Sequence, residues 1–245
     1  MEHENYLVFD IETCPLPWDS FSESQQEYLL RGAVTEEEIT KKKDEMGLTP
    51  LTAQVVCIGL MLMKPKEGGG FEMHKRAAFS VDNSITDDSQ TDDKLSTGDT
   101  IIMSSEKKAL DNFWKIFKKY NNLHLISFNG RNFDAPFLML RSAVLGLRPS
   151  KNLMDGTKFS YSHHTDLIDK LTFYSSSSYG ATKRFNFDFY TRAFGVTSPK
   201  AEGLDGSKVA PYFADGRINE ISEYCLRDVV ATWELFQIWR DTLKF

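Results

Sequence analysis

The run Tyr6-Leu7-Val8-Phe9-Asp10-Ile11-Glu12-Thr13 constrains this chain more than any other stretch. Leu7, Val8, Phe9 and Ile11 have the β-branched, aromatic and aliphatic make-up of a strand buried in a sheet. Two carboxylic acids interrupt the run at positions i and i+2. Alternate residues of a strand share a face, so Asp10 and Glu12 project to one side while Ile11 points to the other. Adjacent carboxylates at the end of a core strand repel each other and resist ionising together. A divalent cation between them removes the conflict, and so does a position past the strand end in open water. The pair alone does not choose between these.

The chain has 245 residues, room for one large domain or two small ones, and its 41% hydrophobic content supplies a core and rules out wholesale disorder. No run of eighteen apolar residues is present, and Met1-Glu2-His3-Glu4 lacks the basic and apolar regions of a signal peptide. The expectation is a cytoplasmic protein with no membrane partner. Cys14, Cys57 and Cys225 are odd in number, widely spaced and without a C-x-x-C, which suits a reducing compartment and argues against a disulfide framework or a zinc site. A net charge of −6 does not by itself indicate a nucleic-acid binder, whose phosphate contacts come from Lys and Arg. An acidic cation site would lower that balance, so composition leaves the partner open.

Along the chain, Ser22 to Lys43 reads as one or two exposed helices, with a capping box at Thr35-Glu36-Glu37-Glu38. Ala53 to Met63 is a second strand, Glu67-Gly68-Gly69-Gly70 a turn, and Phe71 to Val81 the returning strand of a hairpin. Asp82 to Thr100, rich in Asp, Ser and Thr, reads as a solvated loop; it lacks the spacing of a calcium loop. Leu110, Phe113, Trp114 and Phe117 form the apolar stripe of a helix over Ser105 to Tyr120. A strand over Leu123 to Phe128 and a helix over Pro136 to Leu147 follow. Then come an apolar segment over Thr165 to Phe173, a helix from Phe185 to Phe194 closed by Gly195, and a long last helix over Ile218 to Leu243. A hairpin beside parallel strands that alternate with helices makes a mixed α/β sheet, and nothing marks a second core. We expect one domain over residues 1–245, with surface insertions at about 15–50 and 82–100.

Two other stretches carry acids that need a reason. In Asn129-Gly130-Arg131-Asn132-Phe133-Asp134-Ala135-Pro136 the aspartate sits where a loop enters a helix, and helix capping is a sufficient explanation for it. In Tyr224-Cys225-Leu226-Arg227-Asp228 the Tyr and Asp are four apart on a helix and stack on one face, an arrangement equally served by a half-buried Tyr beside a solvated acid.

Taken together, F-D-I-E-T, N-G-x-x-F-D and Y-x-x-x-D in this order resemble the three exonuclease motifs of the DEDD superfamily, in its tyrosine-containing branch. With His164-Thr165-Asp166-Leu167 and Ser198-Pro199-Lys200 around them, the chain is most similar to the 3′–5′ exonuclease domain of B-family DNA polymerases, from about Tyr6 to Leu235. The resemblance implies a ribonuclease H-like fold, a mixed five-stranded sheet flanked by helices. It also implies two-metal phosphodiester hydrolysis with Mg²⁺ or Mn²⁺, hard cations that take oxygen ligands. Asp10, Glu12 and Asp228 match the holders of the first metal. Asp10 also bridges to the second, to which Asp134 contributes. Tyr224 matches the residue that hydrogen-bonds the attacking water, and Thr13 and Asn129 match positions that touch the terminal nucleotide. Asp166 is expected to have a structural role. The implied partner is nucleic acid with a free 3′ end, single-stranded DNA ahead of RNA. Two other readings stand beside this: a silent module on the same fold that binds nucleic acid or protein, and an enzyme that degrades short oligoribonucleotides.

Overall fold

A computed structural model describes residues 5–120, 122–199 and 204–244. Met1 to Glu4, on which the leader expectation rests, lie outside the described residues, as does Lys200 of the Ser198-Pro199-Lys200 stretch. Seven strands form one sheet: β1 (Asn5–Pro15), β2 (Ala53–Pro65), β3 (Phe71–Val81), β4 (Gln90–Lys94), β5 (Thr100–Ser104), β6 (Leu123–Ser127) and β7 (His164–Asp166). Their order is β4-β5-β3-β2-β1-β6-β7. β1, β2 and β3 run antiparallel in turn, and β4 is antiparallel to β5. The pairs β3·β5, β1·β6 and β6·β7 are parallel. Gly68, Gly69 and Gly70 all have positive φ, which lets the β2–β3 connection turn back so tightly.

The sheet is the expected mixed one flanked by helices, with seven strands rather than five. β4 lies in the segment that reads as a solvated loop. All five of its side chains are exposed, so no apolar alternation marks it, and its Asp92 and Asp93 suit a charged, protected edge. β5 follows directly, with Ile101 and Ile102 buried. β7 is a three-residue strand at the start of the apolar segment, too short for periodicity to register.

The helices are α1 (Glu23–Leu29), α2 (Glu36–Glu45), α3 (Glu106–Lys119), α4 (Asp134–Val144), α5 (Leu167–Leu171), α6 (Phe187–Ala193), α7 (Val209–Ala214) and α8 (Ile218–Thr242). The capping box of α2 forms as expected: Glu38 N–H donates to Thr35 Oγ1 and Thr35 N–H to Glu38 Oε2. Gly195, with φ of 72°, follows α6. No described helix is long and apolar enough to cross a membrane.

Each face of the sheet buries a layer. Leu7, Phe9 and Ile11 point towards α3 and α4, where they meet Leu110, Phe113, Phe137 and Leu138. Val8, on the opposite face, joins Val229, Trp233 and Phe236 of α8. Between α3 and α4 lies a buried ion pair. Arg141 donates to both Glu106 oxygens at 2.8 and 2.9 Å, and Glu106 Oε1 also accepts the Val55 amide at 2.8 Å. With its acceptors occupied and its charge matched, the pair fixes α4, and with it the start of that helix, against β2.

Candidate active site

Strand alternation places Asp10 and Glu12 on the Val8 face, beneath α8, as the sequence predicts. Asp10 lies opposite Gly59 of β2 and Glu12 opposite Cys57. A β-bulge between Glu12 and Thr13 then ends the regular register. Gly59 is what allows α8 to approach so closely. A Cβ built there would lie 2.8 Å from Cys225 Sγ and 3.1 Å from Val229 Cγ2, so a larger residue would lift the helix off the acids. α8 brings Tyr224 and Asp228 to the same place one turn apart, and the Tyr224 hydroxyl donates to the Asp228 carboxylate.

Asp134 arrives from the side. β6 pairs with β1 only as far as Val8↔Ile126, and no described strand lies beside the remainder of that β1 edge. Asp134 fills the gap: its Oδ1 accepts the Ile11 amide at 3.0 Å. The capping explanation for Asp134 is therefore replaced. It is the first residue of α4, preceded by Phe133 with no side-chain cap, and its carboxylate serves the strand instead. The loop that delivers it is held by Asp166, whose oxygens accept the amides of Asn129, Arg131 and Ile168 at 2.7, 2.8 and 3.2 Å. Asn129 is left-handed, with φ of 66°. A Cβ on Gly130 would collide with Ser127 Cβ at 2.6 Å, so only glycine fits beside the strand end.

Thr13 and Asn129 sit at the margin with their polar groups engaged. The Thr13 hydroxyl donates to Gly47 O at 2.7 Å. Asn129 Oδ1 accepts from Asn132 Nδ2 at 3.1 Å and from Arg184.

The electrostatics follow from this crowding. Burial, then the charges of Asp134, Asp228 and Glu12, push Asp10 well above the usual carboxylate range. Burial and Asp228 push Glu12 well up. Burial lifts Asp134 to about 7 against the amide bonds that oppose the shift. Burial lifts Asp166 to about 6. Burial and the nearby acids also raise Tyr224, so its phenol stays neutral at physiological pH. Among the described residues, none of Asp10, Glu12 and Asp134 is paired with a lysine or arginine. Glu12 is 9% exposed, and its carboxylate accepts no hydrogen bond from any described group. A largely buried carboxylate with no donor among the described residues, beside like charges, is chemically suited to ligate a cation. The oxygen-rich donor set fits Mg²⁺ or Mn²⁺.

Sequence reasoning missed Gly59, Gly130 and the placement of Cys225. An isolated glycine inside the apolar strand Ala53 to Met63 does signal close backbone approach. Nothing in the sequence says that the approaching group is α8.

A family profile described as a predicted 3′–5′ exonuclease related to the exonuclease domain of PolB matches residues 71–242. That range holds Asp134, Tyr224 and Asp228, while Asp10 and Glu12 lie before it. The DNA polymerase epsilon catalytic subunits A of Emericella nidulans and Aspergillus fumigatus are each 26% identical over 188 residues. Those matches cover 75% of this chain but only 8% of the polymerases, so the chain spans less than a tenth of these curated relatives. The family B DNA polymerase of the hyperthermophilic archaeon Pyrobaculum calidifontis shares the fold. Its TM-score is 0.55 at 18% identity, over 96% of this chain and 24% of that one. The mixed sheet and its flanking helices thus have the ribonuclease H-like arrangement of a polymerase exonuclease domain.

Proposed function

Since the chain belongs to the family of predicted 3′–5′ exonucleases related to the exonuclease domain of PolB, we propose that it hydrolyses phosphodiester bonds at the 3′ end of nucleic acid with two divalent cations, and that single-stranded DNA is its preferred substrate. The observation that carries this reading is the convergence of Asp10, Glu12, Asp134 and Asp228 from β1, α4 and α8 without a compensating side-chain cation on the first three. The polymerase relatives supply the preference for DNA. Tyr224 beside Asp228 supports a centre of the tyrosine-containing DEDD type.

Cations bound at this centre would activate a water and stabilise the leaving oxygen. Asp10, Glu12 and Asp228 would hold one such ion, and Asp10 and Asp134 would contribute to the other. Asp134, fixed by the Ile11 amide, keeps one oxygen turned away from its ligand role and the second available. Tyr224 aims the attacking water through its hydroxyl. It does not remove the proton, because its phenol stays neutral. Thr13 and Asn129 border the terminal nucleotide. The whole chain acts as one catalytic domain in this reading.

The test is incubation with 3′-labelled and 5′-labelled DNA and RNA oligomers, with and without Mn²⁺. A ladder shortening from the 3′ end, dependent on the cation and lost in Asp10→Ala, is expected. DNA should be cut faster than RNA. Cation-independent cleavage, or none by the folded protein on any of these oligomers, would defeat the proposal.

A further inference from the structure

All three cysteines are buried free thiols, but Cys225 differs from the other two in what it faces. Its Sγ lies 3.5 Å from the Asp10 carbonyl oxygen and 3.7 Å from Asp10 Oδ2. One donor atom each from Asp10, Glu12 and Cys225 fall within 4.8 Å of one another. The Glu12 carboxylate, unpartnered among the described residues and only 9% exposed, is the second observation that points to a ligand here. In a tetrahedral site a sulfur donor sits about 2.3 Å from the ion and an oxygen donor about 2.0–2.2 Å, which puts neighbouring donors roughly 3.5–3.7 Å apart. The Cys225–Asp10 spacing already matches. Gly59 creates it, because any Cβ there would occupy the space taken by the sulfur.

Hard cations have little use for a sulfur donor, whereas soft or borderline ones seek it. Resting on the reading that these acids hold divalent cations, we propose that Asp10, Glu12 and Cys225 form a mixed oxygen–sulfur site for a thiophilic divalent cation such as Zn²⁺ or Cd²⁺, which displaces the hard cation and inhibits the nuclease. The Cys225 S–H bond breaks as the metal–sulfur bond forms, and the proton leaves to solvent. No oxidant or further reactant is involved. The wide cysteine spacing in the sequence does not register such a site, because its ligands come from β1 and α8.

The experiment titrates Cd²⁺ into metal-stripped protein and follows the ultraviolet charge-transfer absorption of the cadmium–thiolate bond. In parallel, the thermal shift produced by Mn²⁺ is measured. Wild-type protein should show the band, saturating at one ion. The double variant Cys14→Ser/Cys57→Ser, which keeps Cys225 alone, should show it too. Cys225→Ser should lose the band and bind Cd²⁺ on the order of tenfold or more weakly, with its Mn²⁺ shift retained. No band in the wild type, or a band that survives Cys225→Ser, overturns the sulfur site, and a persisting Mn²⁺ shift then leaves the acidic centre standing. Loss of both signals in wild-type protein overturns the underlying reading as well. If Cys225→Ser does not fold, the double variant decides, its band supporting the site and its silence rejecting it.

Discussion

At the scale of single residues, Asp134 has two separable duties. Its Oδ1 accepts the Ile11 amide, and an asparagine oxygen in the same position can accept it too. Asp134→Asn should therefore fold with near wild-type stability and lose most hydrolysis. Asp134→Ala leaves a buried amide unsatisfied and should cost an additional ~1–3 kcal/mol. Denaturant melts beside oligomer assays check both. Equal stability of the two variants would show that the Ile11 bond contributes nothing, and an active Asp134→Asn would remove the residue from the chemistry. Tyr224→Phe deletes only a hydroxyl. A rate loss on the order of ten- to a thousandfold is expected, the range for lost positioning of a reacting group. The neutral phenol does not titrate in the working range, so the shape of the rate profile between pH 6 and 8 should be kept. Wild-type rates in Tyr224→Phe would make this Tyr a packing residue of α8.

At the scale of elements, two contacts hold the acids in place. The first is Gly59 beneath α8. Gly59→Ala sets a methyl 2.8 Å from Cys225 Sγ. Overpacking of this kind costs about 1–3 kcal/mol, and lifting the helix should also blunt the thermal response to Mn²⁺, because Asp228 moves away from Asp10. A variant as stable and as responsive as wild type would mean that α8 has slack here. The second is the Glu106–Arg141 pair between α3 and α4, with side chains 10% and 7% exposed. Glu106→Gln leaves the guanidinium buried without its counter-charge, and breaking such a pair by one partner costs about 3–5 kcal/mol. Its loss should loosen the start of α4, where Asp134 sits. A double-mutant cycle with Arg141→Met measures how much of the cost is the stranded charge.

For the whole molecule, the acids make stability depend on pH and on cations. Asp10, Glu12 and Asp134 all titrate higher in the folded state than in the unfolded chain, so the folded state binds more protons. Stability then falls as pH rises, beginning above the unfolded values near ~4 and, for Asp134, continuing through about 7. His164 runs the other way, since burial lowers it to about 3 and its contribution grows until pH passes its unfolded value near ~6.5. Above pH 6.5 the His164 contribution is complete, and the raised carboxylates should make the melting temperature of metal-free protein fall up to pH 8. Mg²⁺ or Mn²⁺ at ten times its dissociation constant should restore roughly 1.4 kcal/mol, about 3–6 °C for a chain of this size, and the gain should be larger at pH 8 than at pH 6.5. A melting temperature that is flat or rising over that interval without metal, and indifferent to the cations, would show that these carboxylates do not share one site.

The sequence by itself determined which face of β1 carries Asp10 and Glu12, the i, i+4 stacking of Tyr224 on Asp228, and the presence of α3, α4, α8 and the β2–β3 hairpin. Those follow from periods of two and 3.6 residues, which are local properties of the chain. It did not contain β4, because an edge strand with every side chain in solvent has no apolar pattern to show. Nor did it distinguish Asp134 as a helix cap from Asp134 as the partner of Ile11, since the two residues meet only because β6 stops short and exposes the edge of β1. The tertiary structure alone decided that Cys225 faces Asp10, that Gly59 must lack a side chain, and that Glu12 has no hydrogen-bond donor among the described residues. Each of these depends on which elements approach and how closely, and distances between residues so far apart in the chain leave no trace in local periodicity.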